Sequence, residues 1–462
     1  MEPRSLQFVA DACFGELKKG SPQTLVSRIC TDSRAVQPGD LFIALAGERF
    51  DAHNFLADVA SKDVAAIVAE KGKTPPGLTN CALIFVEHTR KALGDIASAY
   101  RREFQLPFIA VGGSNGKTST KDLIASVLAQ KFPTLASEAS FNNDIGVPLT
   151  LLKLEPQHKA AVLEVGTNHP GELAPLLRIV RPRYSVVTSI GREHLEFFGD
   201  MDGVIREEGT LAELLPVNGK LFVNAESEWV YPILKRARVP VVKVGWSEKC
   251  DFSARNLRMS EEGFSFSVAA PRKEFTSDYQ IKLLGRHQVL NALLAIAIGS
   301  ELGLSRNEVQ RGLLECRPAK MRMQLWSFDG IRVLDDAYNA NVDSMLAALQ
   351  TLSEIPVTGR RIAVLGEMAE LGAHAATSHI EIGRRAAELK IHHIITVGKM
   401  AGETANGARN AGCRNVTEVT EVEAVAPVLK ELLQPGDLVL LKASRSTRLE
   451  RVSELLRGGA VK

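Results

Sequence analysis

The stretch Phe108–Phe132 reads FIAVGGSNGKTSTKDLIASVLAQKF. Four apolar residues, Phe108, Ile109, Ala110 and Val111, predict a strand, and Leu123, Ile124, Val127 and Leu128 recur at helical spacing behind it. Between them GGSNGKTS, Gly112 to Ser119, has the form G-x-x-G-K-S/T; Val111 stands where the strict Walker A pattern carries its first glycine, so this is the shorter form. The order suits a bound phosphate. Glycines let backbone N–H groups across Gly113, Ser114, Asn115 and Gly116 turn inward around phosphate oxygens, and the helix that follows aims its positive end at them. Lys117 would neutralise the outer phosphates, the Thr118 hydroxyl would ligate magnesium, and Ser119 closes the loop. A glycine-rich turn that only starts a helix is the alternative, and the strand before and helix after the loop favour phosphate.

Around this core the chain runs to 462 residues, too long for one hydrophobic core, so two or three domains are expected. A hydrophobic content of 45% and a charged content of 24% belong to an ordinary globular protein, and a net charge of +2 supplies no field to attract nucleic acid or a membrane surface. Six cysteines stand singly, with no C-x-x-C pair, as expected for reduced thiols in the cytoplasm. The first residues lack the apolar centre of a signal peptide, and the apolar run Ala292–Gly299 is far short of a membrane span.

Residues 1–85 predict a small α/β domain with strands at Ser27–Thr31, Leu41–Leu45, Ala65–Val68 and Ala82–Val86 and a helix at Phe55–Ser61. Its polar strings are TDSR, with Ser33 and Arg34, and the run from Pro38 to His53, with Asp51 and His53; on their own these are ordinary loop residues. A second domain, 86–318, opens with a helix over Thr89–Phe104 and carries the loop. In it SFNNDIGVPLTLL places Asn142 and Asn143 before a helix, where they would satisfy a turn or face substrate. The strand Ala160–Leu163 ends on Glu164, and a carboxylate at the carboxyl end of a strand in a doubly wound sheet lies where ligands bind. The strand Ser185–Ile190 leads to His194, a structural or hydrogen-bonding residue as the sequence stands. Phe264, Phe266 and Val268 alternate, Tyr279–Leu284 follows as their antiparallel partner, and the apolar helix beyond embeds Asn291, whose amide needs a partner. The third domain, 319–462, alternates strand and helix as an open, mainly parallel sheet without a G-x-G-x-x-G fingerprint. Its strand ends carry DDAYNANVDSM (Asp335–Met345), GEMAELG (Gly366–Gly372) and KASRSTRLE (Lys442–Glu450); Asp336 would cap a helix or serve a site.

GGSNGKTS, FNNDIGVPLTLL, LEVGTNHPGE, EHLEFFG, GRHQVLNALLAIA and DDAYNANVDSM together resemble the Mur ligases, the ATP-dependent amide-forming enzymes of peptidoglycan synthesis, over nearly the whole chain. The resemblance implies a three-domain α/β architecture: a substrate-binding domain for the uridine nucleotide, a central parallel-sheet domain with the phosphate loop, and a Rossmann-like carboxyl-terminal domain. Tyr338-Asn339-Ala340-Asn341 is nearest the branch that joins D-alanyl-D-alanine to a UDP-muramoyl-tripeptide through an acyl phosphate. The implied cofactors are ATP and Mg2+, and the implied partners are those small molecules, with no nucleic acid, no membrane insertion, and a cytoplasmic monomer as the acting species. By the same resemblance Lys117 and Thr118 hold phosphates and metal, Glu164 and His194 hold metal, and Asn291, Arg322, Asp336 and Asn339 contact ATP. Ser33, Arg34, Asp51, His53, Asn142, Asn143, Asn341, Lys442 and Ser444 face substrates.

Departures from the family pattern are Gly112 for a usual threonine, Gln288 for an asparagine, and Glu367 in a string that is more often Gly-Asp-Met. The metal-site lysine that becomes carbamylated in the family is absent, Glu208 takes its place, and no lysine occurs between Lys159 and Lys220. Glu208 would offer magnesium a carboxylate in place of the carbamate, or Glu207 and Glu208 form a solvated helix face. Competing functions are a related ligase adding a single amino acid or folate glutamates, and a nucleotide-gated binding protein with a broken metal site.

Overall fold

A computed structural model describes residues 1–47, 50–75, 78 and 81–458; Glu48 and Arg49, within the Pro38–His53 string, lie outside the described residues. The chain forms two compact units, one of Met1–Ala110, Phe132–Thr167 and Glu172–Tyr184, the other of Val111–Lys131, Asn168–Gly171 and Ser185–Lys462.

In the first unit a sheet of five strands runs in the order Glu16–Lys19, Ala82–Val86, Ala66–Glu70, Leu41–Ile43, Ile29–Cys30 among the described residues. All its pairings are parallel except that of Glu16–Lys19. The strand expected at Ser27–Thr31 is instead two short pieces, Leu25–Val26 and Ile29–Cys30, because the former pairs with Arg4–Ser5 and the latter with Leu41–Ile43. Phe42, Leu56, Val59 and Ile67 are fully buried under the sheet. The same unit holds the parallel pair Thr134–Ala136 and Ala160–Glu164.

The second unit begins inside the strand Phe108–Gly112, at Val111, and continues into the helix Lys117–Leu128. That helix packs on Arg286–Glu301 and Arg306–Glu315. The contact is backbone-close: a Cβ on Gly312 would stand 2.4 Å from the Val127 Cα, so only glycine fits there. Arg286–Glu301 is apolar on every side and nearly all of it is buried, which is why its one embedded amide pair, Gln288 and Asn291, is forced to bond internally. Lys220–Asn224, Val241–Gly245 and Phe252–Ser260 pair in parallel, and Gly263–Ala269 and Ser277–Ile281 continue antiparallel, the last pair as the alternation predicts.

A six-stranded sheet follows in the order Gln324–Phe328, Ile331–Asp335, Leu438–Lys442, Arg361–Leu365, His393–Val397, Val416–Val419. It is parallel except for the first pair. The doubly wound pattern brings the carboxyl ends of Ile331–Asp335, Arg361–Leu365 and Leu438–Lys442 to one rim, which is where the three polar strings begin. Among the described residues no helix is long and apolar enough to cross a membrane.

Candidate functional site

The loop after Phe108–Gly112 is held open by its own neighbours. Gly113 and Gly116 have φ of 112° and 83°, values L side chains rarely adopt. The Ser114 N–H donates to the Ser189 carbonyl (2.7 Å), the Asn115 N–H donates to Ser189 Oγ (3.1 Å), and the Thr188 hydroxyl donates to the Asn115 carbonyl (2.6 Å). The loop is thereby tied to the segment after Tyr184–Val187 before any ligand arrives. Gly116 is the N-cap of Lys117–Leu128, so the first helical turn, whose N–H groups no α-helix satisfies internally, faces the loop interior. Thr118 is 1% exposed within that turn. Lys117 folds back, its ammonium donating to the Gly113 and Ser114 carbonyls and lying 3.4 Å from Glu193 Oε2. A Cβ on Gly116 would stand 2.9 Å from Asn291 Oδ1, so the Asn291 amide, held by Gln288, sits directly on the loop.

Two buried carboxylates set the electrostatics beside the loop. Glu193, which sequence reasoning missed, is 4% exposed, with Oε1 unpartnered. Glu208 is 1% exposed and neither of its oxygens completes a hydrogen bond. Burial first, then the Glu193 charge, push its carboxyl up to about 8, while Lys117 and the Gly113 backbone amide pull the other way. The solvated-face alternative for Glu207 and Glu208 is overturned, because both are buried; Glu207 accepts from the Gly171 N–H at 2.8 Å instead. Glu164, in the first unit, is 1% exposed: Asn142 donates to its Oε1 at 2.9 Å and its Oε2 has no partner. Asn143 is a turn residue, accepting from the Ile145 and Gly146 N–H groups at the start of Gly146–Leu151.

His194, at φ 49°, pairs through Nδ1 with Glu370, whose carboxyl the imidazole bond holds below its usual range against the effect of burial. Its Nε2 lies 3.9 Å from Glu193 Oε2. Arg192 beside it forks onto Asp343 (Nη2–Oδ1 2.7 Å) and onto Glu381 (2.8 Å), and its own N–H reaches Asp343 Oδ2 at 2.7 Å. Asp343 lies in the first turn of the helix Val342–Glu354, which is capped by Asn341 and not by Asp336. The Asn341 amide donates to Asn115 Oδ1 at 3.0 Å, joining the Asp335–Met345 string to the phosphate loop. Asp336 serves the rim: it takes the Lys442 ammonium and the Met323 N–H. Lys442 also donates to the Asn339 carbonyl (3.1 Å), and Asn339 Oδ1 accepts from the Arg445 N–H (3.3 Å). Ser444 donates to the Ala340 carbonyl (3.2 Å) and accepts from the Ala369 N–H (2.7 Å), and Arg322 lies over the Tyr338 ring at 4.2 Å. The structure thus gathers Asn115, Lys117, His194, Glu208, Asn291, Asp336, Asn339, Asn341, Lys442 and Ser444 into the second unit.

Ser33, Arg34, Asp51, His53, Asn142, Asn143 and Glu164 stand in the first unit. Arg34 forks onto Asp32 and is largely exposed, and the Ser33 carbonyl accepts from Lys62. His53 uses both ring nitrogens internally, Nδ1 toward Asp51 and Nε2 accepting from the Glu70 N–H (3.0 Å), which fixes its neutral tautomer. Glu193, Asp343 and Glu370 lie inside the strings EHLEFFG, DDAYNANVDSM and GEMAELG but were not singled out within them, and Arg192 and Glu381 fall outside all three.

Three domain families match the chain: the Mur ligase family catalytic domain over residues 25–101, the Mur ligase middle domain over 111–299, and the Mur ligase glutamate ligase domain over 321–445. The UDP-N-acetylmuramoyl-tripeptide–D-alanyl-D-alanine ligases of Bacillus subtilis and Escherichia coli are each 34% identical to it, with 98% of both chains covered. A crystal structure of MurF from Acinetobacter baumannii superposes with a TM-score of 0.91 at 33% identity over 99% of each chain. The MurF ligase of Thermotoga maritima, solved in complex with ADP, has the same fold, with a TM-score of 0.81 at 24% identity over 93% of this chain and 97% of its own.

Proposed function

This chain belongs to the Mur ligase family, and on that footing we propose that it joins D-alanyl-D-alanine to UDP-N-acetylmuramoyl-tripeptide with ATP, in the cytoplasm and as a monomer. One observation carries the proposal: the Asp335–Met345 string, which is nearest the D-alanyl-D-alanine branch, is bonded to the phosphate loop through Asn341 and Asn115. The domain division it implies is 1–85 for the uridine nucleotide, 86–318 for ATP and 319–462 for the incoming dipeptide.

The reaction is carboxylate activation. A tripeptide carboxylate oxygen attacks the γ-phosphorus, ADP leaves, the dipeptide amine attacks the acyl carbon of the acyl phosphate, and phosphate departs as the amine gives up its proton. Lys117, which donates to the Gly113 carbonyl, would turn to the nucleotide phosphates, a cationic donor aimed where charge spreads on the transferring group. Asn291 and Arg322 bracket the nucleotide, and Asn339, Lys442 and Ser444 keep the rim rigid around the amine. Ser33, Arg34, Asp51, His53, Asn142 and Asn143 support the substrate end.

Magnesium fits the residues present. Thr118, His194 and Glu208, all in the second unit, would hold it: Glu208 keeps both oxygens buried without a partner, and His194 has Nδ1 engaged by a carboxylate, as metal-bound histidines do. When bound it supplies charge neutralisation to the phosphate oxygens. The test is ADP release, expected only with both the tripeptide nucleotide and D-alanyl-D-alanine and abolished by Lys117→Ala. Robust turnover with a single free amino acid as acceptor would refute it.

A further inference from the structure

We propose that His379 is a positioning residue for the ligation: from the helix Ala375–Glu388 it holds the string Gly366–Gly372 so that Glu370 stays on His194 and Ala369 stays on Ser444. The proposal deepens the ligase reading, and its kinetic consequences rest on that reading.

The string GEMAELG leaves the carboxyl end of Arg361–Leu365 and runs toward the helix Ala375–Glu388. Four of its residues bond to the rim and to the segment of His194. The Gly366 N–H donates to the Lys442 carbonyl (2.9 Å), the Glu367 carbonyl accepts from the Ser444 N–H (2.8 Å), and the Ala369 N–H donates to Ser444 Oγ (2.7 Å). Glu370 takes the His194 imidazole on its carboxylate and the Glu196 N–H on its carbonyl (3.0 Å). Its φ of 59° is one that a residue other than glycine keeps only where its surroundings hold it. All of these bonds end on the site itself, and a string held only by the groups it orders would move with them.

Met368, between them, is tied to the scaffold instead. It is buried, and its N–H donates to Nε2 of His379 at 3.0 Å. His379 is 1% exposed, and its Nδ1 donates to the Ala375 carbonyl one turn back at 2.7 Å. An N–H in front of Nε2 requires a lone pair there, so the proton sits on Nδ1 and both ring nitrogens are spent on backbone. Burial holds the ring below its usual range against the Ala375 carbonyl, Glu367 and Glu403, which keeps it a neutral acceptor. Without that acceptor the Met368 N–H would be buried and unpaired, a cost that drives its peptide to turn. Glu370 lies two residues further along the string, so a turn there carries away the carboxylate that sets the His194 ring. A packing role needs the bulk of the ring or its bond to Ala375, whereas the positioning role needs the acceptor at Nε2.

Asparagine and glutamine separate the two roles. The glutamine carbonyl reaches the place of Nε2 and can accept from Met368; the asparagine amide reaches only the place of Nδ1 and can donate to Ala375. Full-length His379→Gln and His379→Asn are compared with wild type by thermal melts, by proton–nitrogen spectra of isotope-labelled histidines, and by ADP release with UDP-muramoyl-tripeptide and D-alanyl-D-alanine. His194→Gln identifies the His194 signal by its loss. In folded protein the Nδ1 proton that His194 shares with Glu370 is expected to keep its position in His379→Gln and to shift or vanish in His379→Asn. The kcat is expected to fall about tenfold or more in His379→Asn and to stay within about threefold of wild type in His379→Gln. The KM for ATP should hold in both, because the bonds that shape the phosphate loop run to Thr188 and Ser189 and not to the string. A His194 signal and kcat that survive in His379→Asn, or a His379→Gln protein that loses both, would overturn the proposal. Should the asparagine variant not fold, His379→Gln decides alone: a wild-type His194 signal upholds the role of the acceptor and its loss refutes it. If the wild type shows no turnover with these substrates, the ligase reading fails, and the His194 signal still decides whether His379 positions Glu370.

Discussion

Gly113→Ala puts the phosphate loop itself under load. With φ at 112°, an alanine there is strained by about 1–3 kcal/mol before any contact is counted. Its Cβ would also stand 2.6 Å from Thr188 Oγ1, 2.7 Å from the Ser189 carbonyl and 3.0 Å from the Thr188 nitrogen. Ordinary contact begins near 3.4 Å, so the Thr188–Ser189 backbone must retreat by more than half an ångström. It is not free to do so: the Thr188 N–H donates to the Gly112 carbonyl (3.0 Å) and the Ser189 carbonyl accepts from Ser114 (2.7 Å). Overpacking of this kind adds about 1–3 kcal/mol, for a total of roughly 2–6 kcal/mol. In a body this large that is a fall in melting temperature of about 3–10 °C. Gly116→Ala is the matched comparison, since its φ of 83° is also strained but its nearest neighbour is the end of the Asn291 side chain, which can move; about 1–2 kcal/mol is expected. Thermal melts and ADP calorimetry on both variants read the effect, with Gly113→Ala the worse in both. A Gly113→Ala protein that melts within about 2 °C of wild type and keeps its ADP affinity would refute the reasoning.

The Arg192–Asp343 fork joins the loop bearing His194 to the helix capped by Asn341, with side chains 31% and 35% exposed. Solvent screening trims it, so a double-mutant cycle of Arg192→Ala and Asp343→Ala should return a coupling of about 1–2 kcal/mol in urea melts, and additivity would remove the link. Asp437 is buried, yet hydrogen bonds from the Arg360 side chain, the Arg360 N–H and the Gln434 N–H outweigh burial and hold its carboxyl below the usual range. Its contribution to stability is therefore full above the unfolded value near 4 and is lost as pH falls through the folded one; Asp437→Asn should lower the melting temperature at pH 7 and flatten its decline below about pH 4. An unchanged acid limb would speak against that role. Turnover in carbon-dioxide-depleted buffer should not rise on adding bicarbonate, because Glu208 already carries the oxygens a carbamate would provide; rescue by bicarbonate would place a modified lysine in the site.

What the sequence by itself determined is what short-range physics writes into neighbouring residues. The phosphate loop was legible because its strand, glycines, lysine and helix are contiguous, and the helix Arg286–Glu301 because it is apolar on all sides. The helix Ala401–Asn410 was not: AGETANGARN is a poor helix former, and packing holds it, with Gly407 so close to the helix Ala375–Glu388 that a Cβ would stand 2.1 Å from the Ile380 carbonyl. The strand Gln324–Phe328 was missed too, since half-exposed residues at a sheet edge lack a clean alternation. At the site, the identity of the helix cap turned on whether Asp336 or Asn341 reached the first turn, and the answer depended on Lys442, 106 residues away, claiming the aspartate. Asn115 meets Asn341 across 226 residues. Only the tertiary structure decided that Glu193 and Glu208 share one buried space, because a carboxylate's neighbours, and hence whether its charge is solvated, paired or left for a cation, are set by which distant segments fold over it.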